Sequence, residues 1–193
     1  MKQIFKKSIC GALAACALAA GSASATVVNF DQLTGSGPLP SVYGGIAWDS
    51  GWYYLSSAFP PFEAHSSPTR IYSDANVKGF SFLDDDQYFD GAWFAGYYYA
   101  SFRLYNDGLL VHTSPTLELF GTGPAQFLAS GYTGLVDAVS VVGIGGAYVM
   151  DDVTYHGEVP EPGAPSLMLA GMLAAALLNA GMKKSEMRKR QTR

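Results

Sequence analysis

Between Thr26 and Gly157 no window keeps apolar residues at helical spacing for three turns. The stretch is built instead from short runs of β-branched and aromatic residues, each broken by Gly, Pro, Ser or Asp. Such runs read as strands, because branched and aromatic side chains fit a pleated surface and the punctuating residues fit turns. The expected strands are 27–30, 44–48, 52–55, 69–73, 77–83, 97–105, 109–114, 117–119, 126–130, 136–143 and 147–155. The sharpest local signal is FRLYNDGLLVH, where Asn106-Asp107-Gly108 supplies the positive φ angles of a tight hairpin. Many short strands without helices predict an all-β chain: one β-sandwich or jelly-roll domain over 26–157. No internal repeat is present, which argues against a propeller or β-helix.

The segment before this domain has three parts. Lys2, Lys6 and Lys7 are followed by the apolar run GALAACALAA and then by Ala23-Ser24-Ala25. That order is a secretory signal peptide, residues 1–25, with cleavage expected between Ala25 and Thr26. Cys10 and Cys16 both fall inside it, so the mature chain has no cysteine. Disulfides, thiolate zinc sites and cysteine nucleophiles are thereby excluded.

Charge is segregated. Residues 26–157 hold three basic side chains, Arg70, Lys78 and Arg103, against thirteen acidic ones, a formal charge of −10. Nucleic acid is excluded as a partner, because binding it requires clustered Lys and Arg to displace counterions. The same field attracts cations. Asp31 lies beside the expected first strand and Asp151-Asp152 within the expected last. A jelly roll brings those strands together, so a structural calcium on Asp31, Asp151 and Asp152 is one expectation. Strand alternation puts Asp151 and Asp152 on opposite faces, so at most one is expected to point inward. That one would need a metal or backbone N–H groups, given how few basic residues the domain has.

Asp84-Asp85-Asp86 and Asp90-Gly91 fail the calcium-loop pattern, since Tyr88 and Tyr97 occupy its ligand positions. They read as a solvated acidic loop. In GAWFAGYYYASF, alternation sets Tyr97 and Tyr99 opposite to Tyr98, so a loop or a partner must cover one face. Exposed rings there would stack on sugar faces, and Trp93 and Tyr98 with Asp84, Asp86 and Asp90 form the expected contact region. Catalytic residues are not expected. His65, His112 and His156 are isolated, there is no nucleophile-elbow motif, and GIGGAY lies between strands as a turn. The alternative is a secreted glycan-active hydrolase using two of the many carboxylates, held by a plain C-terminal transmembrane helix.

The chain ends in EVPEPGAPSLMLAGMLAAALLNAGMKKSEMRKRQTR. Residues 166–182 are apolar apart from Ser166 and Asn179, and as a helix would be roughly 25 Å long. They read as a transmembrane helix, with the basic tail 183–193 as its cytoplasmic stop signal. Pro160, Pro162 and Pro165 mark an extended linker before it. Val159-Pro160-Glu161-Pro162, an apolar helix and a basic end resemble the PEP-CTERM sorting signal of exported proteins in Gram-negative bacteria. The resemblance covers residues 158–193 and departs from the usual pattern in Gly163-Ala164-Pro165, in Asn179 and in a longer tail. It implies an exosortase-type sorting protease as partner, anchoring in the inner membrane during sorting, then a place at the cell surface or in an exopolysaccharide biofilm matrix. NFDQL, YGGIAW, GAWFAG before LYNDG, ASGYTGLVDAVSVVG and YVMDDVTY are also similar to β-sandwich domains joined to that signal. The expected function is that of a structural or carbohydrate-interacting, non-enzymatic surface protein.

Overall fold

In a computed structural model of the chain, the residues described are 24–84 and 86–158. The expected signal peptide up to Ala23, Asp85, the expected sorting motif Val159–Pro162, the helix expected at 166–182 and the basic tail lie outside them. Among the described residues every regular element is a strand, and no helix is long and apolar enough to cross a membrane.

Thirteen strands form one antiparallel hydrogen-bonded network. They are β1 (Thr26–Val28), β2 (Ser36–Pro38), β3 (Val42–Tyr43), β4 (Ile46–Trp48), β5 (Trp52–Leu55), β6 (Arg70–Ser73) and β7 (Val77–Phe82). There follow β8 (Tyr88–Asn106), β9 (Leu109–Thr113), β10 (Leu117–Phe120), β11 (Gln126–Ala129), β12 (Ala138–Gly143) and β13 (Tyr148–His156). Each of the eleven runs expected from sequence contains one of these strands or part of one. The FRLYNDGLLVH hairpin is the β8–β9 connection, with positive φ at Asp107 and Gly108.

The main difference from expectation is β8. Its 19 residues begin at Tyr88 rather than Tyr97, and they run through two leaves of the sheet. The first half pairs with β13 and β11, in the leaf that continues through β6, β5 and β2. The second half pairs with β12, β9 and β10, in the leaf that continues through β7, β4 and β3. Gly91 (φ 145°) lies within the first half, at the irregularity of the β13 ladder, and between the halves the strand turns at Gly96 (φ 131°) and Tyr98 (φ 69°). Glycine is required at the first two. A Cβ on Gly91 would strike the Leu128 carbonyl oxygen, and one on Gly96 the Ala147 carbonyl oxygen.

The two leaves face each other across an aromatic core. Trp48 of β4 meets Trp52 of β5 at 5.6 Å, and Phe80 of β7 meets Phe89 of β8 at 5.9 Å. Phe102 stands edge-on to Phe89 at 4.9 Å and tilted against Phe94 at 5.6 Å. Edge-to-face rings fill volume and set positive edges against negative faces, which adds to the burial free energy. The chain ends of this unit meet, because β1 pairs with the last strand: Thr26 opposite Tyr155 and Val28 opposite Val153.

Candidate functional site

A second, smaller apolar cluster lies away from the main core. It gathers Ala95 of β8, Val149 of β13 and Ala125, with Phe62, Tyr72 and Trp93 packed against them. The segment between β5 and β6 crosses this face, so Trp93 is half-buried beneath it, its ring stacked on His65 at 3.5 Å. Here the loop expected to cover one face of GAWFAG is found.

Two residues fasten the loop to β13. Ser66 N donates to Asp151 Oδ2 at 2.9 Å, and Ser66 Oγ donates to Asp152 Oδ1 at 2.9 Å. His65 Nδ1 lies 2.6 Å from Asp152 Oδ2. Strand alternation would have separated the two carboxylates, yet Asp151 and Asp152 are 1% and 7% exposed. The reason is a bulge. Asp151 pairs with Trp93 but Thr154 with Gly91, so one extra residue is inserted, and Asp152 takes φ 46°. The expectation that only one of them points inward is therefore corrected: the bulge turns both toward Ser66.

Burial and the adjacent Asp152 push the Asp151 carboxyl up to about 7, against the pull of the backbone N–H groups of Asp152 and Ser66. Asp31 adds to the same rise from a distance and accepts a bond from Thr69 N at 3.2 Å. Asp31, Asp151 and Asp152 thus share one neighbourhood, in which Thr69 engages one oxygen of Asp31 while Ser66, His65 and the Asp152 amide engage the oxygens of Asp151 and Asp152. Among the described residues no three His, Cys, Asp or Glu side chains gather in a way that could hold a metal ion. The set is also ill-placed for nucleophilic catalysis. Ser66 and His65 both converge on Asp152, whereas an activated serine sits on the imidazole nitrogen that faces away from the carboxylate.

Beyond the cluster the rings emerge into solvent. Phe59 stacks on Phe62 at 5.7 Å, Phe62 stands edge-on to Tyr97 at 5.7 Å, and Tyr97 leads to Tyr98 at 6.4 Å. Phe120 of β10 lies directly across the ladder from Tyr97. Phe59, Tyr98 and Phe120 are 58%, 59% and 75% exposed. Tyr97, Tyr98 and Tyr99 are all exposed in sequence, which simple alternation forbids; the positive φ of Tyr98 is the break that allows it. On the other flank Trp93 meets the exposed Phe127 at 5.5 Å.

The contact region read from sequence is thereby divided. Tyr98 stands at the exposed end of the band and Trp93 lies beneath the loop. Asp90 sits eight residues before Tyr98, in the half of β8 that belongs to the other leaf, and its carboxylate lies 3.2 Å from His156 Nδ1. Asp84 and Asp86 are exposed in the β7–β8 connection that leads into that half. Sequence reasoning missed Phe59, Phe62, Phe120, His65, Ser66 and Arg70. The visible signal was FPPFEAHSSP, two phenylalanines in a segment whose Pro and Ser content excludes a strand.

No protein-family profile matches the chain, and no curated protein matches it. Among solved structures, a mutant of a family 29 carbohydrate-binding module aligns with TM-score 0.43 at 9% identity, covering 72% of this chain and 97% of that one. Another mutant of the module, complexed with cellulohexaose, aligns with TM-score 0.43 at 10% identity, covering 69% and 90%. At this distance the sugar bound there is a property of that module, and nothing about a ligand for this chain follows.

Proposed function

We propose that residues 26–157 form a non-enzymatic, glycan-binding domain of an exported surface or matrix protein, using the aromatic band that runs from Phe59 through Phe62 and Tyr97 to Tyr98 and Phe120. One observation carries the reading: Phe59, Phe62, Tyr97 and Tyr98 form a chain of ring contacts, Phe120 stands across the ladder from Tyr97, and all but the half-buried Phe62 are exposed. Contiguous exposed apolar surface is rare on soluble proteins without a binding role, and aromatic faces match the apolar faces of pyranose rings. The band also stands on β10 and on the bend of β8, so its geometry is set by sheet hydrogen bonds as well as by the loop. The purified protein is expected to bind on a glycan array. Tyr98→Ala and Phe120→Ala should each weaken that binding roughly tenfold, about 1.4 kcal/mol, with the melting temperature unchanged. Unchanged affinity in both variants would refute the assignment.

The flanking segments complete the reading. Residues 1–25 serve as the signal peptide, and 158–193 as a PEP-CTERM signal that an exosortase processes near Val159–Pro162. The support is the order of proline motif, apolar stretch and basic end, with half of the chain's Lys and Arg placed after Met182. Mass spectrometry of the mature C-terminus should show truncation near the motif in cells with the sorting protease and an intact Arg193 in cells without it. An intact Arg193 in both would reduce the segment to a plain anchor.

A further inference from the structure

Arg70 is the one basic residue of residues 26–157 that is buried, at 2% exposure, and its partners are poor. Nη1 reaches only the carbonyl oxygens of Leu55 at 3.3 Å and Pro68 at 3.4 Å, while Nε and Nη2 have no hydrogen-bond partner. An unpaired buried guanidinium edge is costly, and a fold does not keep one without compensation. Asp151 acts on it only through charge at a distance and makes no hydrogen bond to it. Its oxygens are held by Ser66 and by the Asp152 amide.

Arg70 also lines a cleft of about 200 Å³, together with Ser56, Phe59, Glu63, Ser67 and Pro68. The unpartnered Nε and Nη2 are closed to solvent as they stand; turned into the cleft, that edge is the planar fork that takes a carboxylate through two parallel hydrogen bonds. Phe59, in the same cleft, is the outermost ring of the aromatic band. The volume falls below that of drug-sized sites, which suits one residue of a chain rather than several. Exchanging the two long carbonyl contacts of Nη1 for a charge-assisted pair would bring the fork onto an entering carboxylate. The only other charged side chain in the cleft is Glu63, exposed on the loop and electrostatically coupled to Arg70.

Resting on the glycan-binding reading above, the geometry points to the Arg70 cleft as a subsite for a carboxylate-bearing sugar, a uronic acid residue, with its ring against Phe59 and its carboxylate on Arg70. Glu63 competes for the same fork and lowers the affinity of the site. Its presence also fits recognition of one acidic residue at a time, since the domain's −10 charge opposes long polyanions.

The test is titration calorimetry of the full-length protein with an otherwise neutral oligosaccharide bearing a single terminal glucuronate and with the neutral oligosaccharide made by reducing that one carboxyl group. The acidic oligomer should bind roughly tenfold more tightly. Arg70→Gln should erase that preference while leaving the neutral affinity, and Glu63→Gln should strengthen acidic binding several-fold. Because Arg70→Gln removes a buried residue and could compromise folding, Glu63→Gln on the exposed loop is the decisive variant. Equal affinities for the two oligomers, with no gain in Glu63→Gln, would overturn the subsite. If Tyr98→Ala still weakened both oligomers in that case, the aromatic band would stand without it. Conversely, free glucuronate binding that is lost in Arg70→Gln, with no binding of the neutral oligomer, would retain the cleft and refute the band.

Discussion

Gly96→Ala is expected to lower the thermal midpoint by more than about 10 °C, or to prevent folding. The new Cβ would meet the Ala147 carbonyl oxygen, the Cα of Tyr148 at 2.9 Å and the Phe62 ring at 3.1 Å. Two of these are backbone atoms of the β13 side of the ladder, where Tyr148 pairs with Gly96, and they have no rotamer with which to retreat. A residue with a side chain at φ 131° adds backbone strain of about 1–3 kcal/mol, and forced overpacking a further 1–3 kcal/mol. A loss of about 4 kcal/mol is a large part of the stability of a domain this size. The damage should also reach the band, since Gly96 accepts the Gly121 N–H bond at 2.7 Å that holds the end of β10 beside Tyr97. Thermal melts of Gly96→Ala beside Gly108→Ala make the comparison. Gly108 has positive φ but open space around its Cβ position, so the second variant should cost far less.

Stability is expected to fall as pH rises from 4 to 7, the reverse of the usual acid denaturation. The Asp151 carboxyl is pushed from its ordinary 3.8 up to about 7 by burial and by Asp152. A carboxyl with a raised pKa binds its proton more tightly in the folded protein than in the unfolded chain. The stabilisation is therefore fully present below the unfolded value and is lost as pH rises through the folded one. A shift of about three units corresponds to at most about 4 kcal/mol, less whatever the loop recovers by relaxing. When Asp151 ionises, its charge is buried beside Asp152, with which it shares Ser66. Asp151→Asn should flatten the pH dependence between 4 and 7. A melting temperature as pH-dependent in Asp151→Asn as in the parent would place the titrating group elsewhere.

The strands that sequence revealed were those whose local pattern and final environment agree. VKGFSF and AVSVVG carry branched and aromatic residues and pair in regular ladders, and LLVHT pairs with β8 through its hairpin with one irregularity. The missed strands lack that signal. β2 is Ser-Gly-Pro and β3 only two residues long, and both form because a neighbour already presents a hydrogen-bonding edge. The first half of β8 was hidden by Asp90-Gly91 and Gly96, which read as punctuation; Gly91 instead lies inside the ladder, and Gly96 is part of the bend that carries the strand between leaves. The site was less legible still. His65 meets Asp152 across 87 residues of chain, and no periodicity encodes such a meeting. Alternation gave the wrong faces for Asp151 and Asp152, and for Tyr97 to Tyr99, because a single positive φ in each run reverses the direction of the side chains that follow. What the sequence did announce was a surplus of rings around GAWFAGYYYASF and the need for something to cover one face. The FPPFEAHSSP loop is that cover, and its own phenylalanines extend the band.

The most direct test of the central claim is hydrogen–deuterium exchange of the purified protein with and without the glycan that binds best on the array. Protection is expected in peptides containing Phe59 and Phe62, Tyr97 to Tyr99, and Phe120, with none in the peptide spanning Asp84 to Asp90. Protection confined to the acidic connection, or no change around the aromatic band while the glycan is bound, would contradict it.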